Sequence, residues 1–146
     1  MTTKVIAVAC DEDGVAAVDV AEGQRHDARP ATPILADIPS AVGRVDEVPA
    51  DKAFDSDAIR WAILDDLDAL PVIPNKANRR EPWPWDEEMQ ESYKQRNRIE
   101  RAFGKAEQFR RFATRYEKLR DVYLGLVRLV FGFINVRRLA RTVNRP

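Results

Sequence analysis

The chain has 146 residues, 45% of them hydrophobic and 33% charged, with a formal net charge of zero. This size allows one domain with a core, and the composition is typical of a globular protein. The single cysteine excludes a disulfide framework and a cysteine-rich zinc site, and the longest apolar stretch, residues 122–136, is too short to cross a bilayer.

The first three predicted elements are a β-hairpin and a short helix. Residues 4–10 and 15–20 are apolar, β-branched runs on either side of an Asp-Gly turn signal, which predicts the hairpin. Asp27 can cap a helix that begins near Ala28. The buried face of this helix is then expected to be Ile34, Leu35 and Ile38.

Two short strands with a helix between them follow. We predict a strand over residues 44–49, which a proline ends because it cannot donate to a sheet. Apolar residues spaced by three and four predict a helix over residues 57–67, capped by Ser56 or Asp55. Residues 70–73 form the next predicted strand.

The C-terminal half is predicted to be helical. A loop over residues 75–85 precedes a long helix over 87–112, a break over 113–117 and a last helix over 118–141. The element order is β-β-α-β-α-β-α-α, which is an α/β pattern of layers. The loop contains Trp83 and Trp85, which can either stack on bases or anchor the loop to the core.

Two carboxylates stand out by their positions. Asp51 lies just past a strand end, and ligands of α/β proteins gather at the carboxyl ends of strands. Glu100 shares a helix face with Tyr93 and Arg96 by the spacing of three and four. Such a pair suits a two-metal phosphoryl-transfer site, although no convincing third carboxylate is found.

Each of these residues also has a purely structural interpretation, which the sequence leaves open. Arg96 can orient Glu100 or bind a phosphate, but the two can equally form a surface ion pair four residues apart. Asp55 and Asp57 are best interpreted as helix-capping residues.

The zero net charge hides an asymmetry between the two halves of the chain. Residues 1–75 carry six Lys and Arg against fifteen Asp and Glu, whereas residues 76–146 carry eighteen against nine. The basic half indicates a nucleic-acid partner, unless the two halves neutralise each other within the fold. The arginines that can follow a DNA backbone, or form a solvated basic face, are Arg79, Arg80, Arg110, Arg111 and Arg115.

Short motifs along the chain resemble one family. In order they are Thr-Thr-Lys at 2–4, Gly-Gln-Arg-His-Asp at 23–27, Ala-Asp-Lys-Ala-Phe-Asp-Ser-Asp at 50–57, Val-Ile-Pro at 72–74, the Tyr93/Arg96/Glu100 signature, Gln-Phe-Arg-Arg at 108–111 and Ala-Thr-Arg-Tyr-Glu-Lys at 113–118. Their order and spacing resemble the C-terminal part of the catalytic domain of DDE-type insertion-sequence transposases. The resemblance implies that residues 1–146 are a partial catalytic domain.

The resemblance implies an α/β, RNase-H-like fold: a mixed sheet flanked by helices. It also implies that Asp51 and Glu100 are the second and third acids of the catalytic triad and ligands of Mg²⁺ or Mn²⁺. The residues that would then contact DNA at the element ends and target are Tyr93, Arg96, Lys105, Arg110, Arg111 and Arg115.

The chain departs from the family pattern in two ways. The lysine expected seven residues after the glutamate is replaced by Glu107, and the nearest lysine is Lys105. We also expect the strand that carries the family's first catalytic aspartate to be absent from the chain, since Asp11, Asp13 and Asp19 do not lie in the matching motif. We therefore expect the sheet to be incomplete at its N-terminal central strand, with exposed ladder edges.

The resemblance implies DNA transposition by metal-dependent cleavage and strand transfer. We expect the chain to be a downstream-frame fragment that needs an upstream transposase segment. We expect it to lie in the bacterial cytoplasm near the nucleoid, to form homo-oligomers and to have no membrane as a partner. The alternatives are a catalytically inactive remnant, or a DNA-binding regulator of transposition. A third, unrelated alternative is a structural α/β module whose acids are only helix caps.

Overall fold

A computed structural model gives the fold of residues 3–10, 14–22, 33–36, 38, 43–114 and 119–143, to which all structural statements below refer. The chain divides into two compact units. The first unit consists of residues 1–23 and 98–146, and the second consists of residues 24–97. Each unit is described by itself.

The described elements alternate strands with helices and then become helical throughout. In chain order they are β1 (Thr3–Ala9), β2 (Val15–Glu22), β3 (Glu47–Pro49), a 3₁₀ helix (Lys52–Phe54), α1 (Asp57–Leu67), β4 (Leu70–Val72), α2 (Glu87–Tyr93), a second 3₁₀ helix (Lys94–Arg96), α3 (Asn97–Ala106), α4 (Arg110–Thr114) and α5 (Arg120–Val143). Residues 33–36 and 38 are also helical.

The first unit contains the predicted hairpin. Strands β1 and β2 pair antiparallel from Thr3 opposite Glu22 to Ala9 opposite Val15, with a register irregularity after Val8. Of the predicted turn, only Gly14 lies in the described part of the chain. A Cβ on Gly14 would lie 2.9 Å from the Cys10 sulfur, so a side chain there would force its neighbours to move.

Helix α5 packs on β2 and is held there by two polar side chains. The Asn135 amide accepts a hydrogen bond from the Val15 N–H (3.0 Å) and donates one to the Val15 carbonyl (2.8 Å). Arg120, near the start of the helix, donates to the Val20 carbonyl (3.2 Å) and to Asp19 (2.8 Å). These contacts fix the helix along the strand.

The core of the first unit is formed by apolar side chains of β2 and α3–α5. Val20, Ala102, Ala106 and Val127 are at most 1% exposed. The rest of this buried cluster consists of Val15, Phe112, Tyr123, Leu124, Val130, Phe131 and Ile134. Three of the phenylalanines, at positions 103, 112 and 131, pack with their ring centroids 5.8–6.5 Å apart.

The prediction of one long helix over residues 87–112 is wrong. The segment contains α2, the second 3₁₀ helix and α3, and after a turn at 107–109 it continues as α4. On a continuous helix Phe103 and Phe112, nine residues apart, would lie on opposite faces. The turn at 107–109 allows both rings to pack against Phe131.

In the second unit, two parallel strands are joined through α1. Strands β3 and β4 pair with Glu47 opposite Leu70 and Pro49 opposite Val72, and both α1 and α2 pack on β4. Ser56 is the N-cap of α1 and accepts from the Ile59 N–H. Helix α1 ends at Leu67, because the C-cap residue Asp68 has a positive φ of 50°.

The remaining predicted elements are largely confirmed. Helix α1 has the predicted bounds, α5 differs from its prediction by two residues at each end, and Ile34, Leu35 and Ile38 are buried. The first parallel strand is shorter than predicted. The proposed helix start near Ala28 and most of the predicted break at 113–117 lie outside the described residues. Within that break, Ala113 and Thr114 are helical.

The described strands form two separate two-stranded sheets, β1–β2 and β3–β4, rather than one mixed sheet. The chain is thus a mixed α/β protein with small sheets and helices, and the RNase-H-like arrangement stays a prediction. No helix in the described part of the chain is both long enough and apolar enough to span a membrane.

We expect Asn135→Ala to lower the free energy of unfolding of the first unit by about 2 kcal/mol, because the backbone N–H and carbonyl of Val15 lose their partners. Urea unfolding followed by far-UV circular dichroism measures the change. Arg137→Ala, an exposed position two residues later on α5, is the matched control. Equal effects of the two substitutions would contradict this role of Asn135.

Candidate active site

Asp51 lies at the carboxyl end of the parallel strand pair. The Ala50 N–H donates to the Val72 carbonyl (3.2 Å), so the pairing continues up to the residue before Asp51. Asp51 is the N-cap of the first 3₁₀ helix, and its Oδ1 accepts from the Ala53 N–H at 3.3 Å. The position predicted from the sequence is therefore confirmed: the carboxylate projects just beyond a strand end.

The second oxygen of Asp51 binds Arg96. The Arg96 Nη1 donates to Asp51 Oδ2 at 2.9 Å, and the side chains are 29% and 44% exposed respectively. An ion pair this open to solvent contributes only about 0.2–1 kcal/mol. The structure therefore joins two of the predicted site residues, which are 45 positions apart in the chain.

Two aromatic side chains support the guanidinium of Arg96. The guanidinium carbon lies 5.4 Å from the centre of the Tyr93 ring, and the Tyr93 ring packs edge-on against Trp85, with centroids 5.6 Å apart. In a 3₁₀ helix, residues three apart lie directly above one another, which brings Arg96 over Tyr93. Ser92, in the last turn of α2, donates to the Glu47 carboxylate of β3.

A buried ion pair fixes the segment that follows Asp51. The Asp55 side chain is 0% exposed and the Arg60 side chain 1%, with Arg60 Nε 2.9 Å from Asp55 Oδ1. Arg60 Nη2 also donates to the Ile73 carbonyl at 2.7 Å. The interpretation of Asp55 as a cap is therefore wrong, because Ser56 caps α1 and Asp55 is the counter-ion of a buried arginine.

The loop after β4 closes over this ion pair. Lys76 donates its backbone N–H to Asp55 Oδ2 (2.7 Å), and its ammonium group donates to the carbonyls of Ala53 (3.3 Å) and Asp55 (3.2 Å). Arg79 Nη1 adds a further contact to Asp55 Oδ1 at 2.8 Å. Both carboxylate oxygens of Asp55 are thereby hydrogen-bonded.

The tryptophans of the loop serve as anchors within this unit. The Trp83 ring packs edge-on against Trp61 with centroids 5.3 Å apart, and it lies 5.3 Å from the guanidinium carbon of Arg60. Its indole N–H donates to Asp57 at 3.0 Å, and this hydrogen bond lowers the pKa of Asp57 below its ordinary value, with a smaller contribution from Arg79. This contact pattern supports the loop-anchoring alternative for Trp83.

The sequence also contains a signal for the buried ion pair. Arg60, Ile63 and Leu67 are spaced by three and four, so an arginine lies on the apolar face of α1. A charged side chain on a buried face requires a counter-ion, and a carboxylate near the start of the same helix was available.

The remaining predicted site residues belong to the first unit. Glu100, Lys105, Arg110 and Arg111 are exposed on α3 and α4, and Arg115 lies outside the described residues. Asp51 and Glu100 belong to different units, so their convergence on one site stays a prediction.

The Asp51 side chain has donor chemistry that suits a divalent metal ion. Its carboxylate offers the oxygen donors that Mg²⁺ and Mn²⁺ prefer, and it is partly exposed. However, one oxygen already binds a guanidinium. Within the described ranges, no group of three or more His, Cys, Asp or Glu side chains could hold a metal ion. Asp51 by itself therefore offers one carboxylate with the donor chemistry of a metal ligand.

Comparison with known proteins identifies the family. The family model described as "Transposase DDE domain" matches residues 1–132. The chain belongs to the transposase DDE domain family.

A Brucella ovis protein named "Putative transposase for insertion sequence element IS6501" is 33% identical over 138 residues, which cover 94% of this chain and 100% of that relative. The search of solved structures found no match. The resemblance to insertion-sequence transposases is thus confirmed. Membership of the DDE family supports a role in transposition with DNA as partner, and DDE transposase domains generally use divalent metal ions.

We expect Asp55→Asn to lower the free energy of unfolding of the second unit by about 3–5 kcal/mol, because it leaves the Arg60 charge buried without a counter-ion. All three tryptophans of this DDE chain lie in that unit, so denaturant unfolding followed by tryptophan emission reports on it. The control Asp65→Asn, on the exposed side of α1, should change the stability by less than about 0.5 kcal/mol. A loss no larger than that of the control would contradict the role of the ion pair.

Proposed function

We propose that this chain is part of the catalytic machinery of an insertion-sequence transposase, with Asp51 and Glu100 as its metal-binding, catalytic carboxylates. The observation that supports this most directly is the position of Asp51 at the end of a parallel strand, in contact with Arg96 of the Tyr93/Arg96/Glu100 signature. Membership of the DDE family supplies the reaction class.

In this proposal the residues of the chain have separate tasks. Asp51 and Glu100 supply oxygen ligands for Mg²⁺ or Mn²⁺. When bound, two such ions would activate a water or a 3′-hydroxyl and stabilise the leaving oxygen of a DNA phosphodiester. Tyr93 and Arg96 position the element end, because a guanidinium fork matches two phosphate oxygens.

DNA binding is assigned to the cationic residues of the C-terminal half. Arg110 and Arg111 are exposed on α4, and Lys105 is exposed on α3. Arg115 completes the proposed set. Phosphate neutralisation by these side chains would release counter-ions and make binding depend on salt. Self-association, and a location in the bacterial cytoplasm near the nucleoid, are part of the same proposal.

Catalysis in this proposal requires a further carboxylate from a partner. Two carboxylates hold a pair of divalent cations poorly, because the repulsion between the ions needs more negative charge nearby. We propose that an upstream transposase segment supplies the first aspartate, as expected for a downstream-frame fragment. The nucleotide sequence before the codon of Met1 would show whether an overlapping frame encodes an Asp-bearing strand.

The second candidate is a non-catalytic product: an inactive remnant, or a regulator that occupies element ends. It is favoured by the lack of a three-carboxylate group within the described residues. A plain stop before Met1, with no overlapping frame, would support this candidate.

We expect the purified 146-residue chain to show no strand transfer with Mg²⁺ or Mn²⁺. Addition of the upstream segment should give cleavage of element-end DNA, measured on labelled oligonucleotides, that Asp51→Asn and Glu100→Gln abolish. Asp65→Asn, outside the proposed site, is the control. Cleavage by the chain alone that is lost in Asp51→Asn would contradict the need for a partner, and no Asp51-dependent cleavage under either condition would favour the second candidate.

Binding of duplex DNA should weaken as the salt concentration rises, because side chains of α4 contact the phosphates. The double substitution Arg110→Gln/Arg111→Gln should reduce the slope of log affinity against log salt by about 0.9 for each phosphate that the protein no longer neutralises. Fluorescence anisotropy between low and moderate salt measures the slope. Arg44→Gln, an exposed arginine in the acidic half, should leave the slope unchanged. An affinity of the wild-type chain that does not vary with salt would refute the DNA contact.

A further inference from the structure

The ion pair between Asp51 and Arg96 differs from the ion pair between Asp55 and Arg60, in the same unit, in its exposure to solvent. Both members are partly exposed, whereas Asp55 and Arg60 are enclosed. The open pair can therefore separate into water at little cost, and the closed pair cannot. Of these two ion pairs, the enclosed one is fixed and the partly exposed one can exchange partners.

We infer that Arg96 is an exchangeable counter-ion of Asp51, which must release the carboxylate before a divalent cation binds there. This inference rests on the proposed function of Asp51 as a metal ligand. A cation bound to Oδ2 would lie about 2.0–2.6 Å from that oxygen. The Arg96 Nη1 is 2.9 Å from the same oxygen, so the two positive charges would compete for it.

When Arg96 releases Asp51, its new ion-pair partner is a DNA phosphate. The guanidinium lies over the Tyr93 ring, and Tyr93 in turn packs on Trp85, so these rings can support the side chain while the anion at Nη1 changes. A phosphate offers the same paired oxygens as a carboxylate. Phosphate binding by Arg96 would free Asp51, and by thermodynamic reciprocity the duplex and the cation would then strengthen each other's binding.

Manganese binding by the purified full chain tests this exchange. Free Mn²⁺ is measured by electron paramagnetic resonance during titration of the wild type and of Arg96→Gln. We expect Arg96→Gln to bind Mn²⁺ about ten-fold more tightly, because a positive charge that competes for the ligand is gone. Lys94→Gln removes an equal charge two residues away, from an exposed side chain that contacts Glu91 instead, and should change the affinity less than about two-fold.

Two further variants separate charge from shape and identify the ligand. Arg96→Lys keeps the charge and should remain near the wild-type affinity. Asp51→Asn in the Arg96→Gln background should abolish the gain. Addition of a short duplex should tighten Mn²⁺ binding by the wild type but not by Arg96→Gln, and tryptophan emission verifies that each variant is folded.

The possible failures are distinguishable. Asp51-dependent Mn²⁺ binding that Arg96→Gln does not strengthen more than Lys94→Gln would overturn the exchange and leave the proposed metal role of Asp51 intact. Absence of Asp51-dependent Mn²⁺ binding in every variant, including Arg96→Gln with DNA and with the upstream segment added, would overturn both the exchange and that metal role.

Discussion

The buried ion pair between Arg60 and Asp55 is the constraint on which the candidate site depends. Removal of both charges from water is expensive, and it is tolerated only when the remaining donors and acceptors are hydrogen-bonded. The Ile73 carbonyl, the Lys76 N–H and the guanidinium of Arg79 supply these partners. Because a single 3₁₀ turn separates Asp51 from Asp55, the fixed position of Asp55 also determines where the Asp51 side chain emerges.

Two Asp–Arg pairs in one unit thereby have different physical roles. Loss of one partner of the enclosed pair leaves an uncompensated charge and costs about 3–5 kcal/mol. The partly exposed pair of Asp51 and Arg96 contributes about 0.2–1 kcal/mol, which is within the range that a bound phosphate or cation can exceed. The carboxylate of Asp55 is fixed, whereas the counter-ion of Asp51 can exchange. This combination suits a site that must be positioned before its ligands arrive and rearranged when they bind.

Local patterns in the sequence predicted those parts of the fold that local forces decide. The hairpin, α1, α5 and the position of Asp51 all follow from periodicity, turn residues and caps. The turn at 107–109 was missed because it depends on the packing of Phe103 and Phe112 around Phe131, which no local pattern contains. The contact between Arg96 and Asp51 was missed for the same reason, since helical spacing indicated only Glu100 as a partner.

Polar contacts also determine which face of α5 is buried. Apolar side chains occur on more than one side of this helix, and Leu129, Phe133 and Val136 remain more than half exposed. Hydrophobic burial alone would therefore allow several rotations of the helix against β2. The amide of Asn135 can satisfy both backbone groups of Val15 in only one of them. Because a rotated helix would leave these groups unpaired, the amide excludes the alternatives through the cost of buried, unsatisfied polar groups.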